Sequence, residues 1–162
     1  MTSENNVTIR PGTVADYPRA RAAIADQFAF HQQALPAVFR ETAAPPPTRA
    51  SIAQLLRDDG GAWLLAEAAG QVIGYLTLQL RSPAQEAYLV QVTRAVVQDV
   101  GILPAWRGQG IGRALMEAAE QWARRQGARH LQLNVWEFNT GALRFYETLG
   151  FTTVSRKMEK AL

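Results

Sequence analysis

The chain is 162 residues long, 48% hydrophobic and 19% charged, and it holds no cysteine. That length fits one domain with a sizeable core, the apolar content excludes a disordered chain, and the missing thiol excludes a disulfide framework, a thiolate zinc site and a Cys nucleophile. The formal charge is only +3, with no clustering of arginines and aromatics, which argues against a nucleic-acid partner, and no run approaches the roughly 18 apolar residues of a membrane span.

In chain order, Val7–Pro11 alternates as a short strand, and Asp16 or Thr13 is placed to cap the helix that follows, with Tyr17, Ala20, Ile24 and Phe28 on its apolar stripe. His31–Phe39, with Pro36 inside it, breaks that pattern, and Pro45-Pro46-Pro47 predicts an extended loop rather than a domain boundary. A second helix is predicted over Ser51–Arg57. Ala62–Ala68 and Val72–Leu80, joined by Ala69-Gly70-Gln71, read as a hairpin. Ser82–Arg94 has no clear period, and its Tyr88–Val92 fits either a strand or an ordered loop. Ala95–Leu103 is a strand. A helix with Ile111, Leu115, Ala119 and Trp122 on one face then runs to Gly127. Arg129–Trp136 alternates as a strand, Asn139–Leu149 is a short helix, and Phe151–Met158 is predicted as a closing strand. Strand and helix alternate through the last third, which argues for α/β or α+β architecture around one sheet.

The arginines are unevenly placed. Residues 94–162 carry ten bases and six acids, against seven and eight in residues 1–93, and Lys157 and Lys160 are the only lysines. Two of these arginines bracket the most informative segment, Gly101-Ile-Leu-Pro-Ala-Trp-Arg107-Gly108-Gln109-Gly110-Ile111-Gly112-Arg113. Alternate glycines between a strand and a helix let backbone N–H groups converge, and the helix start adds its dipole, so the turn suits phosphates. A dinucleotide turn needs glycine where Arg113 stands, and a Walker turn needs a lysine that is missing.

The pattern is instead Arg-Gly-x-Gly-x-Gly, and here the sequence resembles the GNAT superfamily of acetyl-CoA-dependent N-acetyltransferases. The resemblance rests on Asp99–Arg113 and on Asn139-Thr-Gly-Ala142 through Phe145-Tyr146 and Leu149-Gly150-Phe151, and the order of elements agrees with it. It implies a single domain over 1–162 of α/β (α+β) class: a mixed, mostly antiparallel sheet with helices on both faces and a splayed pair of fourth and fifth strands. The acceptor side would lie in about 1–93 and the acetyl-CoA side in about 94–158.

By the same resemblance, backbone groups of Val100, Gly101 and Ile102 would bond the pantetheine amides, one N–H polarising the thioester carbonyl. Arg107, Gly108, Gln109, Gly110, Ile111, Gly112 and Arg113 would hold the pyrophosphate. Asn139 would contact an amide, and Ala142 would leave room beside the cosubstrate. Tyr146 matches the family's general acid, although it also sits on the apolar stripe with Ala142 and Leu149. The chemistry needs such a group, because the thiolate expelled belongs to a thiol of pKa about 8.5. The acceptor ammonium, of pKa about 10.4, must lose a proton to Asp99, to Glu137 or to a water, with Glu86 a weaker candidate. Asp99 alternatively binds the amine or pairs with an arginine.

His31, with Phe30, Leu35 and Phe39, falls where the resemblance places the acceptor wall, and His130 reads as structural. Two distant histidines without cysteine give no metal site. The expectation is direct transfer of acetyl from acetyl-CoA to a primary amine, small-molecule or peptide, in a ternary complex. The alternative is an acyl-CoA-binding sensor that transfers nothing. Relatives often pair through their C-terminal strands, which makes a homodimer one arrangement. The polar Met1–Asn6 and the lack of an apolar span point to the cytoplasm.

Overall fold

A computed structural model describes residues 6–82 and 88–162. Glu86 falls outside these described residues.

Five strands form one sheet in the order β1 (Thr8–Pro11), β2 (Gly61–Ala68), β3 (Gln71–Arg81), β4 (Arg94–Ile102) and β5 (His130–Leu133). All neighbours are antiparallel except β4 and β5, which run parallel from Arg94↔His130 to Val97↔Leu133. The helices are α1 (Tyr17–Ala34), α2 (Arg49–Arg57), α3 (Ile111–Arg125) and α4 (Thr140–Thr148).

Alternation along β2 and β3 splits the apolar side chains between two layers. Trp63, Leu65, Val72 and Tyr75 pack with Ala20, Ile24 and Ile52 of α1 and α2. Leu64, Ala66, Ile73, Leu76 and Leu78 pack with Ile111, Leu115, Met116 and Ala119 of α3. Both faces of the sheet are therefore covered by helices, as expected for central strands that read as unbroken apolar runs. α4 lies on the α3 side, where Phe145, Tyr146 and Leu149 rest against that layer.

Three boundaries differ from the sequence reading, and one open assignment is resolved. α1 does not break at His31 but runs to Ala34. Pro36 is what stops it, since the residue before a proline is driven out of the helical region, and Leu35 has φ −133° and ψ 63°. Tyr88–Val92, which fitted either strand or ordered loop, is loop. β5 stops at Leu133 instead of reaching Trp136 because β4 has no residue in register with it beyond Val97. Phe151–Met158 forms no strand: Val154 is 81% and Met158 85% exposed, and alternation alone makes no strand without a ladder partner.

β4 carries the irregularity that matters most. Thr77 pairs with Asp99 but Leu78 pairs with Val97, so Gln98 is an extra residue on β4, a β-bulge. Before it, Val97 faces α3. After it, Val100 and Ile102 face α3 while Asp99 and Gly101 turn towards α1.

Candidate functional site

Because β4 continues past the end of β5, the sheet opens into a cleft of about 1030 Å³ between β4, the loop before α3, the segment Leu133–Asn139 and α4. Of the residues singled out from sequence, Asp99, Val100, Gly101, Ile102, Arg107, Gly108, Gly110, Ile111, Gly112, Arg113, Asn139, Ala142 and Tyr146 all line it. Gln109 does not. Its side chain turns back to donate from Nε2 to the carbonyl of Ala105 at 2.9 Å.

The turn before α3 is built by conformation rather than by lack of space. Gly108 (φ +73°) and Gly110 (φ +81°) are left-handed, while a Cβ at either would meet nothing within 4 Å. Gly110 is the N-cap of α3 and, having no side chain, leaves the helix end uncapped. Among the described residues, the N–H groups from Gly108 to Arg113 find no hydrogen-bond acceptor. Such a set of converging donors at a positive dipole end fits a pyrophosphate, and the edge of Gln98–Ile102 beside it, which β5 does not pair and of which Arg107 takes the Ile102 carbonyl, fits an extended amide chain. The two together suit the acetyl-CoA expected from sequence.

Arg107 is more constrained than its sequence role suggested. Its Nε donates to the carbonyl of Ile102 at 3.0 Å and its Nη2 pairs with Asp26 of α1. Arg113 stands exposed on the first turn of α3. Asn139 caps α4, with Oδ1 accepting from the N–H of Ala142 at 3.1 Å. That leaves its amide nitrogen and the second lone pair of Oδ1 for a ligand.

Tyr146 is held by its ring, 5.2 Å from Phe145 and 5.7 Å from Phe151 between centroids. Its hydroxyl has no hydrogen-bond partner among the described residues, and burial pushes the phenol above its ordinary pKa. Asp99 reaches the cleft from the opposite wall. Its Oδ2 accepts from Thr77 Oγ1 at 2.9 Å, and Thr77 Oγ1 in turn accepts from the Asp99 N–H at 3.0 Å. Burial raises the pKa of this carboxyl, with the Thr77 bond and the nearby His31 pulling it partly back. A carboxylate short of solvent is the stronger proton acceptor. Glu137 is not at this wall: it pairs with Arg156 at 3.3 Å and is largely exposed.

Gly101 is required by a neighbour. A Cβ there would run into the ring of Tyr75 and come within 3.0 Å of the Ala23 carbonyl oxygen, so α1 can lie close to β4 only if this residue has no side chain. α1 in turn brings His31 to the cleft, where Nδ1 bonds the Gln27 carbonyl at 2.9 Å. The carbonyl can only accept, so Nδ1 carries a proton towards it, which fixes the ring and turns Nε2 away from the Gln27 carbonyl.

The sequence reading missed several cleft residues, Gln27, Trp136 and Phe138, and, outside the lining, the Asp26 partner of Arg107. It placed Phe28 on a buried stripe, whereas Phe28 is half-buried at the cleft edge. Thr77, 1% exposed, was invisible because nothing local reveals a cross-strand partner. Leu35, expected in the wall, does not line the cleft, while Phe30 and Phe39 do. Among the described residues no three His, Asp or Glu side chains gather as a metal site, and no helix is long and apolar enough to cross a membrane.

Comparison with known proteins gives a consistent picture. The profile of the family described as Acetyltransferase (GNAT) family matches residues 26–151. Streptothricin acetyltransferase of Streptomyces lavendulae is 34% identical over 119 residues, which cover 69% of this chain and 61% of that protein; the chain thus spans less than two thirds of this relative's length. Among solved structures, a tetramutant of the BH1408 protein of Bacillus halodurans superposes with a TM-score of 0.89 at 23% identity, covering 96% of this chain and 99% of that one. The aminoglycoside N-acetyltransferase AAC(6')-Iy, solved in complex with CoA, superposes with a TM-score of 0.76 at 19% identity, covering 100% and 98%.

Proposed function

The chain belongs to the GNAT acetyltransferase family, and from that premise we propose that it moves an acetyl group from acetyl-CoA to the primary amine of a small molecule by direct attack. The observation that carries this reading is that Tyr146 of α4 and Asp99 of β4 line one cleft whose far end is the glycine turn. A module that only bound acyl-CoA would need the turn but neither of the other two.

Bound in this cleft, acetyl-CoA supplies an acetyl thioester. Backbone donors of Gly108–Arg113, with Arg113 beside them, hold the pyrophosphate. Val100, Gly101 and the N–H of Ile102 lie on the edge offered to the pantetheine amides, the Ile102 carbonyl being taken by Arg107. One N–H of that edge faces the charge that develops on the carbonyl oxygen, a contribution of about 2.7–4 kcal/mol per donor in other enzymes. Asp99 receives the acceptor ammonium and takes one of its protons, leaving the nitrogen lone pair to form the N–C bond. Tyr146 gives its phenolic proton to sulfur as the C–S bond breaks. The second proton shed by nitrogen restores the phenol through solvent, so one proton is released overall for each amide formed.

The test is a screen of amine pools with acetyl-CoA, followed by mass spectrometry and by release of the CoA thiol. Acetylated product that disappears in Asp99→Asn and Tyr146→Phe is the expected result. CoA binding without any acetylated product across amines and peptides would show a binding module instead.

A further inference from the structure

The wall of the cleft opposite the glycine turn is aromatic, and it is assembled from three separate segments. α1 contributes Phe28, Phe30 and His31, the loop after α1 contributes Phe39, and the segment after β5 contributes Trp136 and Phe138. The rings touch in a continuous chain. Phe39 lies 6.0 Å from Phe28, 5.7 Å from His31 and 5.6 Å from Trp136 between centroids, and Phe138 lies 5.7 Å from Phe30 and 5.9 Å from His31. Two of them face the cleft with unusual openness, Phe30 at 45% and Trp136 at 44% exposed. Large apolar surface left in water at the mouth of a cleft is surface a ligand can cover.

Charge narrows the ligand further. Among the described residues lining the cleft, Asp99 is the only carboxylate, while Arg107 and Arg113 stand at the other end. One anionic group matches one ammonium. A polycation such as a polyamine or an aminoglycoside would find no second carboxylate among the described residues lining the cleft, and Arg113 at the other end would repel its remaining charges.

We infer that the acceptor is an arylalkylamine: a single primary amine held at Asp99, carried by a short alkyl arm on a flat aromatic body that stacks on Phe39 and Trp136. This rests on the reading of the cleft as an acetyl-transfer site, and the experiment separates the two. Acetylation of 2-phenylethylamine, tyramine, spermidine and kanamycin is compared at fixed acetyl-CoA. In parallel, 2-phenylethylamine is titrated against intrinsic tryptophan fluorescence in the presence of CoA.

The expected result is a kcat/KM for the aromatic amines at least about 100-fold above that for spermidine and kanamycin. Trp136→Ala and Phe39→Ala should each lower it roughly tenfold through KM for the amine, with KM for acetyl-CoA unmoved; the scale is that of an aromatic contact together with its buried area. Trp136, being half in solvent, serves if Phe39→Ala fails to fold. Preference for spermidine or kanamycin would overturn the inference and leave acetyl transfer standing. Saturable fluorescence quenching by 2-phenylethylamine with no acetylation of any amine would support the aromatic ligand and overturn acetyl transfer. No quenching and no acetylation would overturn both.

Discussion

Replacing Tyr146 by phenylalanine should separate chemistry from folding cleanly, because the structure gives the ring and the hydroxyl different jobs. The ring is fixed by Phe145 at 5.2 Å and Phe151 at 5.7 Å, contacts that phenylalanine keeps. The hydroxyl has no partner among the described residues, so removing it breaks no internal hydrogen bond, and stability should stay within about 0.5 kcal/mol. The catalytic cost is that of a lost general acid, about 10²–10⁴-fold in kcat, or roughly 2.7–5.4 kcal/mol at 1.36 kcal/mol per decade. Burial raises the phenol above its ordinary pKa, so it stays protonated throughout neutral pH, and its loss of the proton should lower wild-type kcat on the alkaline side, while protonation of Asp99 sets the acid limb. The alkaline limb should vanish in Tyr146→Phe. Steady-state kinetics with a defined amine, alongside thermal denaturation of both proteins, supplies the measurement. A variant with wild-type kcat, or one that loses rate only because it melts early, would refute the assignment.

Three further outcomes follow from the same contacts. Asp99 has its folded-state pKa raised, so its contribution to stability is fully present below the ordinary carboxylate value near 3.9 and is lost as pH rises through the higher folded value. Asp99→Asn, which keeps an acceptor for Thr77, should therefore raise Tm at pH 7, gain nothing near pH 3.5, and abolish transfer; a lowered Tm at pH 7 would contradict it. Asp16 has the opposite sign. It bonds Arg10 at 2.7 Å, Arg19 at 3.2 Å and the Thr13 N–H at 2.9 Å, which hold its carboxyl far below the usual range, so its stabilisation is present above about pH 3.9 and lost as pH falls through the folded value. Breaking a buried pair costs about 3–5 kcal/mol; discounted for half-exposed arginines, Asp16→Asn should cost about 2–3 kcal/mol, or roughly 4–12 °C in Tm at pH 7. Ala69 sits at φ +48° beside Gly70 at φ +77° in the β2–β3 turn, a pair that favours Asn-Gly; Ala69→Asn should add about 0.5–1 kcal/mol, read as a Tm gain of roughly 1–4 °C.

How much of this was legible in the sequence depends on whether the signal is local. The glycine turn was legible, because three alternate glycines, the strand before them and the helix after them are contiguous, and backbone conformation there is set by residue type. The cap at Asn139 is equally local, its Oδ1 reaching only three residues ahead, although the sequence reading gave that residue only an amide contact. The aromatic wall was legible only in part, since Phe30, His31 and Phe39 were placed in it but Trp136 and Phe138 were not. Phe39, Trp136 and Phe138 come from segments about a hundred residues apart, and no period links them. The closing strand over Phe151–Met158 failed for a related reason: alternation says which residues would share a face but supplies no partner.

Asp99 shows how far a local count can mislead. Strict alternation from Ala95 and Val97 would put Asp99 and Gly101 on the α3 face, leaving a carboxylate against Leu115 and Met116, which are both fully buried, and a cost that such burial does not repay without a charge partner. The extra residue Gln98 shifts the phase of the strand by one. Val100 and Ile102 then fill the α3 face, Asp99 meets Thr77, and Gly101 gives α1 the room to bring His31 to the cleft. The bulge thus resolves the conflict between a sound core and a usable carboxylate, and it also bends β4 where β5 stops following it. One inserted residue both opens the cleft and aims its acid into it.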